Sequence, residues 1–219
     1  SSSPRYPQVG FEYAGTDVYA AVYDPGHYTV YWSNGSTSVA EAKRLPSEIT
    51  VGGDWSVRFD PDWGPKEAVV FPELISWTEY PEPLIRYYSG KAVYENAFDL
   101  DKDQIRGRKV LLDLGNVQDV AVIRVNGHEF PVSWCSPYEV DITPYVRAGR
   151  NRLSVDVVNL WPNRLIGDGK LPPGERMTRS NISKYDAPDA EKYMRVSGLL
   201  GPVRVKFFER VKITPQDKN

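Results

Sequence analysis

Asn159-Leu160-Trp161-Pro162-Asn163-Arg164-Leu165-Ile166-Gly167-Asp168 is the densest run of side chains able to hydrogen-bond and stack. Trp161, Asn163, Arg164 and Asp168 supply the mix that sugar recognition needs: an aromatic face for C–H groups, and amide, guanidinium and carboxylate groups for paired hydroxyls. On that reading the run is a loop facing a ligand or a neighbouring domain. The same residues can also brace themselves. Arg164 would pair with Asp168, Asn163 would cap a turn and Trp161 would fill the edge of a core. Bracing or docking is the favoured expectation, although spacing alone does not decide. Trp134 and Tyr138 bracket Cys135-Ser136-Pro137 and form a second aromatic candidate. They could make a platform for a sugar ring, but burial at the rim of a core is expected. The single Cys135 excludes an intrachain disulfide and is expected to pack as a small hydrophobe.

Other groupings are weaker. Asp99, Asp101 and Asp103 have the alternate spacing of a calcium loop, but no Gly stands at its sixth position and no Glu at its twelfth. A solvated turn is expected there. Glu73, Glu79 and Glu82 lie near Trp77 and Tyr80. Two facing carboxylates could serve glycoside hydrolysis, but the flanking prolines read as an exposed loop. Trp63, in a tight Asp-Trp-Gly-Pro loop, and Tyr80 are candidates for exposure without a nameable partner. His27 and His128 are the only histidines, and neither suggests a metal pair or a triad. Ser89-Gly90 and Ser197-Gly198 lack a nucleophile elbow. No acid, base or nucleophile is assigned.

The 219 residues suffice for one large β domain or two smaller ones. Aromatics make up 12% of the chain, and plentiful Pro and Gly suit sandwiches with long loops better than helical bundles. A formal net charge of -2 and scattered Lys and Arg argue against nucleic acid. No apolar run reaches the length of a membrane span. The chain opens Ser1-Ser2-Ser3-Pro4 without a start Met, which reads as a cut or processed product.

The elements that must position these residues are strands. Residues 18–23, 27–32 and 37–43, with Asp24-Pro25-Gly26 and Asn34-Gly35 turns, predict a small β-meander closed by a short strand at 49–51. Gly52-Gly53 marks a junction, so residues 1–52 are expected as a small β domain or linker segment and residues 53–219 as a second unit. In that second unit Trp55, Val57 and Phe59 alternate onto one face. A strand pair is expected at 86–88 and 91–100 around Ser89-Gly90. Further strands follow at 110–114, 120–125, 129–132, 138–141, 153–158 and 203–211, at sandwich spacing. Residues 71–77 are ambiguous. Asn126-Gly127 between two alternating runs is a hairpin signal, because a tight turn needs the positive φ that this pair tolerates. Residues 163–193 read as a long polar loop. No sustained amphipathic helix and no repeat is found.

Several blocks together resemble one family. Arg86-Tyr87-Tyr88-Ser89-Gly90-Lys91-Ala92-Val93-Tyr94, Val110-Leu111-Leu112-Asp113-Leu114-Gly115, Asn126-Gly127, Ser136-Pro137-Tyr138, the Asn159 to Asp168 block and Ser197-Gly198-Leu199-Leu200-Gly201-Pro202-Val203 follow in order. This order is similar to the galactose-binding-like β-sandwich of bacterial α-L-rhamnosidase-like glycoside hydrolases. It covers residues 52–211 well and 18–51 more loosely. The resemblance implies an all-β chain, a galactose-binding-like jelly-roll sandwich preceded by the β-meander. It also implies a non-catalytic accessory domain that braces a separate catalytic barrel, which would be its partner, and that could contact an oligosaccharide. No cofactor is implied; structural calcium stays open, with no ligands named. A periplasmic or extracellular location follows from the resemblance alone. An autonomous carbohydrate-binding module and a purely structural interaction domain are the alternatives.

Overall fold

A computed structural model describes residues 9–42 and 44–215. The Ser1 to Pro4 opening and Lys43, the last residue of the third expected strand, lie outside the described residues.

In chain order the strands are β1 Val9–Ala14, β2 Asp17–Val22, β3 Gly26–Tyr31, β4 Thr37–Ala42, β5 Ile49–Thr50, β6 Trp55–Phe59, β7 Val69–Phe71 and β8 Lys91–Leu100. They continue with β9 Arg108–Asp113, β10 Asn116–Gln118, β11 Val120–Val125, β12 His128–Glu129, β13 Glu139–Asp141, β14 Gly149–Val158, β15 Gly198–Gly201 and β16 Arg204–Ile213. Helices are short: α1 Pro83–Arg86, α2 Lys102–Ile105 and α3 Pro162–Gly169.

Two antiparallel sheets face each other. One runs β1-β2-β16-β9-β13, with β5 also paired to β16; the other runs β12-β11-β14-β8-β6-β7. The hairpin β3-β4 and the pair β10-β15 stand apart from both. Period-two alternation builds the core. Trp55, Val57 and Phe59 of β6, Tyr94 and Phe98 of β8, and Val155 and Val157 of β14 point inward from one sheet. Val110 and Leu112 of β9 meet them from the other, with Val205 and Phe207 of β16. A smaller cluster gathers Ala20, Val22, Ala40, Ala42 and Ile213, with Tyr28, Val30 and Trp32 packed against it. The Asn126-Gly127 turn joins β11 to β12 with both residues at positive φ, 51° and 88°.

Three expectations are corrected. Residues 86–88 are not a strand. Pro83 and Leu84 open the helical turn α1, and Tyr88 then turns into the core, because proline at a first helical position presets φ and loses no hydrogen bond. The Asn159 to Asp168 block is not a loop throughout, since Pro162 starts α3 in the same way. Cys135 is exposed rather than packed. It follows Ser133, whose backbone pairs with Ala121 outside the named strands, and the chain then runs over the surface to the Ser136-Pro137 bond. The strand Val9–Ala14 has no counterpart among the sequence expectations. Asp101 caps α2 and makes a reciprocal capping box with Gln104.

At the centre of the core the Tyr94 hydroxyl accepts hydrogen bonds from the Trp77 indole N–H and from the Leu199 backbone N–H, the latter at 3.2 Å. Burial pushes the Tyr94 phenol well above its ordinary value, against the opposing pull of those two donors. Tyr88 is shifted the same way, chiefly by burial. Both therefore keep their proton when folded, at a pH where the unfolded chain loses it. Stability is full below pH about 10, the ordinary phenol value, and falls as pH rises above it. Tyr94→Phe should cost ~1–3 kcal/mol at pH 7, because two buried N–H groups lose their acceptor. The same variant should show a smaller alkaline loss than the parent. Urea unfolding midpoints at pH 7 and above pH 10 test both expectations.

Candidate functional site

The block singled out in the sequence is a brace. Asn159 accepts from Gly90 N–H at 2.9 Å, and its amide donates to Tyr88 O at 3.0 Å and Ser197 Oγ at 2.9 Å. Asn163 donates to Arg195 O at 2.7 Å and Ser197 Oγ at 3.0 Å, and accepts from Arg195 N–H at 2.7 Å. The Arg164 backbone N–H donates to Ser89 Oγ at 3.0 Å, and Ser89 in turn donates to Leu160 O at 2.9 Å. Ser89 and Ser197 are thus the acceptors that tie α3 to both sides of the fold. Gly167 belongs to the same closure: a Cβ there would lie 2.5 Å from the Tyr87 side chain.

Arg164 and Asp168 pair one helical turn apart, Nη1 to Oδ1 at 3.7 Å, both buried. Arg164 also donates to Trp63 O at 3.1 Å. Burial lowers the Arg164 guanidinium pKa and the neighbouring Asp168 charge opposes the shift. Asp168 Oδ2 accepts from the Thr178 backbone N–H at 2.7 Å and from the Thr178 hydroxyl. Asn163, Arg164 and Asp168 therefore turn inward and bond to the protein, although Arg164 Nε and Asp168 Oδ1 are buried without a hydrogen bond.

Trp161 behaves differently. It is 53% exposed and touches Trp63 edge-on, ring centres 5.8 Å apart, instead of filling a core. Leu160 beside it is also exposed, as is Val196, next to the Arg195 held by Asn163. Trp134 and Tyr138 part company. Tyr138 is buried and its hydroxyl donates to Asp119 O at 2.6 Å, while Trp134 is 73% exposed. The expectation of burial is corrected for Trp134, because the segment carrying it runs outside the sheet edge. Glu73, Glu79 and Glu82 are all exposed. His128 stacks on Tyr145, ring centres 3.5 Å apart.

Sequence reasoning missed a second place. On the outer face of the first sheet, register puts Glu139 opposite Asp113 and Asp113 opposite Arg204. Lys206 Nζ reaches Asp113 Oδ2 at 2.7 Å and Glu139 Oε1 at 3.2 Å, while Arg204 pairs with Glu48 at 3.2 Å. These groups lie in a cleft of about 1000 Å³ walled by Tyr23, Pro25, Pro46, Pro137 and Phe208. Burial would lower the Lys206 pKa, but its bonds and charge contacts with Asp113 and Glu139 outweigh burial and raise it. The only available signal was the outward parity of Asp113, Glu139 and Lys206 on strands far apart in sequence.

Removing one member of the buried pair leaves an uncompensated charge. Arg164→Met should therefore cost ~3–5 kcal/mol. Adding Asp168→Asn, which removes the stranded charge, should recover part of that loss. Urea midpoints of the single and double variants give the comparison.

A family model described as "Glycosyl hydrolases family 2, sugar binding domain" matches residues 26–171. A Formosa agariphila protein named "Putative beta-glucuronidase" is 34% identical across 83% of this chain and 17% of its own length. The solved rhamnosidase of Novosphingobium sp. PP1Y is 29% identical with a TM-score of 0.65, covering 88% of this chain and 21% of that one. A Ruminococcus gnavus beta-glucuronidase is 24% identical with a TM-score of 0.45, covering 51% of this chain and 21% of that one. The chain spans about a fifth of the length of these relatives, 17% to 21%. With two thirds of its residues inside the matched family, the chain belongs to the sugar-binding β-sandwich domains of family 2 glycosyl hydrolases.

Proposed function

We propose that this chain is the non-catalytic accessory domain of an α-L-rhamnosidase-like glycoside hydrolase, secreted or periplasmic, whose catalytic domain it braces. The observation that carries the reading is the inverted polarity of the α3 region. Asn163, Arg164 and Asp168 turn inward and are held, while Leu160 and Trp161 turn outward. A solvent-facing surface is ordinarily the reverse, and exposed apolar groups fixed on a rigid base mark a contact with another protein surface. Trp63 lies edge-on against Trp161, and Val196, next to the Arg195 held by Asn163, is a further exposed apolar residue. The likeness to a solved rhamnosidase across most of this chain supports the choice of parent.

The reading is tested in the longer polypeptide and in the chain alone. Trp161→Asp should change the unfolding free energy of the isolated chain by less than ~0.5 kcal/mol, as an exposed substitution does. In the longer polypeptide it should lower the melting temperature of the catalytic unit and its turnover of aryl α-L-rhamnosides. Turnover by the isolated chain that a carboxylate substitution abolishes would overturn the proposal. So would a Trp161→Asp polypeptide that melts and turns over like the parent.

A further inference from the structure

We propose that the docking surface at Trp161 continues over the outer face of the second sheet as far as Trp134, so that the catalytic domain of the longer polypeptide lies side-on across β11 and β14. The proposal rests on the docking reading above and adds to it the face that is covered.

Strand β11 reads Val-Ala-Val-Ile-Arg-Val. A sheet with one face in water alternates apolar and polar residues, whereas a nearly continuous apolar run belongs to a strand covered on both faces. Ala121, Ile123 and Val125 fill the core, which leaves Val120 and Val122 on the outside. Register supplies their neighbours. Val120 lies opposite Val158 of β14, and Val122 lies opposite Asp156, which is itself opposite Val93 of β8. On the other side of β11 the Phe130 backbone N–H donates to Ile123 O, and Ser133 pairs with Ala121. Pro131 and Val132 therefore face the single residue Val122, a bulge, and Trp134 falls beside Val120. Val132 and Trp134 are both exposed.

The apolar half of this face ends at ions. Further along, the outward positions are Glu95 and Asp99 on β8 and Arg150 and Arg152 on β14, all exposed. Asp156 stands within the apolar half, and its own fold neutralises it. Arg124 lies at 2.7 Å and Lys91 at 3.7 Å, with Glu129 on Arg124 at 2.7 Å. These two cations and two carboxylates cancel, so a protein surface can cover this half without stranding a charge. Aliphatic residues between two aromatic anchors are the composition of an interface core.

Two observations commit the occupant. The apolar strip runs into the docking surface. Past the end of β14 the alternation continues, with Asn159 turned inward and Leu160 outward and exposed, next to Trp161. A domain anchored at Trp161 thus meets Leu160, Val158 and Val120 in succession before it reaches Trp134. The matched relatives also extend far beyond the part this chain covers, which is 17% of one and 21% of another. A covering domain in the same polypeptide is therefore the occupant that both facts support.

Hydroxyl-radical footprinting read by mass spectrometry tests the proposal, on the chain alone and on the longer polypeptide. Oxidation of Trp134 and of Trp161 should each fall ~10-fold or more in the longer polypeptide, because a packed interface excludes water. Trp134→Asp should leave the urea midpoint of the chain alone unchanged, since Trp134 is exposed there, and should lower the melting temperature of the catalytic unit in the longer polypeptide. Val132→Asp repeats that comparison at a second exposed position. Equal oxidation of Trp134 in both proteins, with Trp161 protected, overturns the proposal and leaves the docking reading standing. Equal oxidation of Trp161 in both overturns the docking reading, and the continuity claimed here falls with it. A longer polypeptide whose melting temperature neither variant lowers also sinks the proposal. So does protection of Trp134 that disappears when the longer polypeptide is diluted, which marks a second copy on this face.

Discussion

The chain has to leave the end of β14 and come back to β15 without stranding backbone polar groups in a closed core. Ser197 meets that constraint. Its hydroxyl donates to Arg195 O and accepts from the amides of Asn159 and Asn163, which uses its one donor and both acceptor positions. Its backbone N–H donates to Ser76 Oγ at 3.1 Å and its carbonyl accepts from Trp77 N–H at 3.0 Å. One residue therefore joins the end of β14, the start of α3, the returning segment and the turn that carries Trp77 into the core. Buried networks of this kind stabilise when complete and cost ~1–3 kcal/mol for each group left unpaired.

That closure determines what the surface above it can be. With Asn163, Arg164 and Asp168 turned inward, Leu160 and Trp161 are what the start of α3 presents, standing on a hydrogen-bonded base. An apolar contact on a rigid support loses little conformational entropy when it docks, which is why such anchors are effective at interfaces. The same commitment removes Asn163, Arg164 and Asp168 from ligand recognition, although their side-chain types suit sugars.

The sandwich was legible because burial imposes a period of two. Trp55, Val57 and Phe59 alternate visibly, and so do Val110, Leu112 and Leu114. The Asn126-Gly127 turn was legible because few other pairs tolerate its backbone. The pairing of Arg164 with Asp168 was readable as one option from its spacing, whereas Asn163, expected to cap a turn, instead bridges α3 to Arg195 and Ser197. Helix α3 was hidden by its composition: Pro162, Gly167 and Gly169 read as a loop, yet proline suits a first helical position and Gly167 is demanded by the closeness of Tyr87. Trp134 and Cys135 were misplaced because an aromatic beside prolines gives no sign of which way its segment runs. The outer cleft was invisible for a different reason. Its floor is assembled from three strands, and outward charged residues on a sheet look like an ordinary solvated face until the register is known.

The two ionic clusters differ in a way that fixes their environments. Arg164 and Asp168 form a buried pair of zero net charge with Trp63 O and Thr178 as further partners, which leaves Arg164 Nε and Asp168 Oδ1 without a hydrogen bond. Asp113, Glu139 and Lys206 form a trio on the outer face of the first sheet, at side-chain exposures of 10% to 16%. The first cluster thus belongs to the core edge that α3 closes, and the second to a sheet face where each side chain keeps part of its surface exposed.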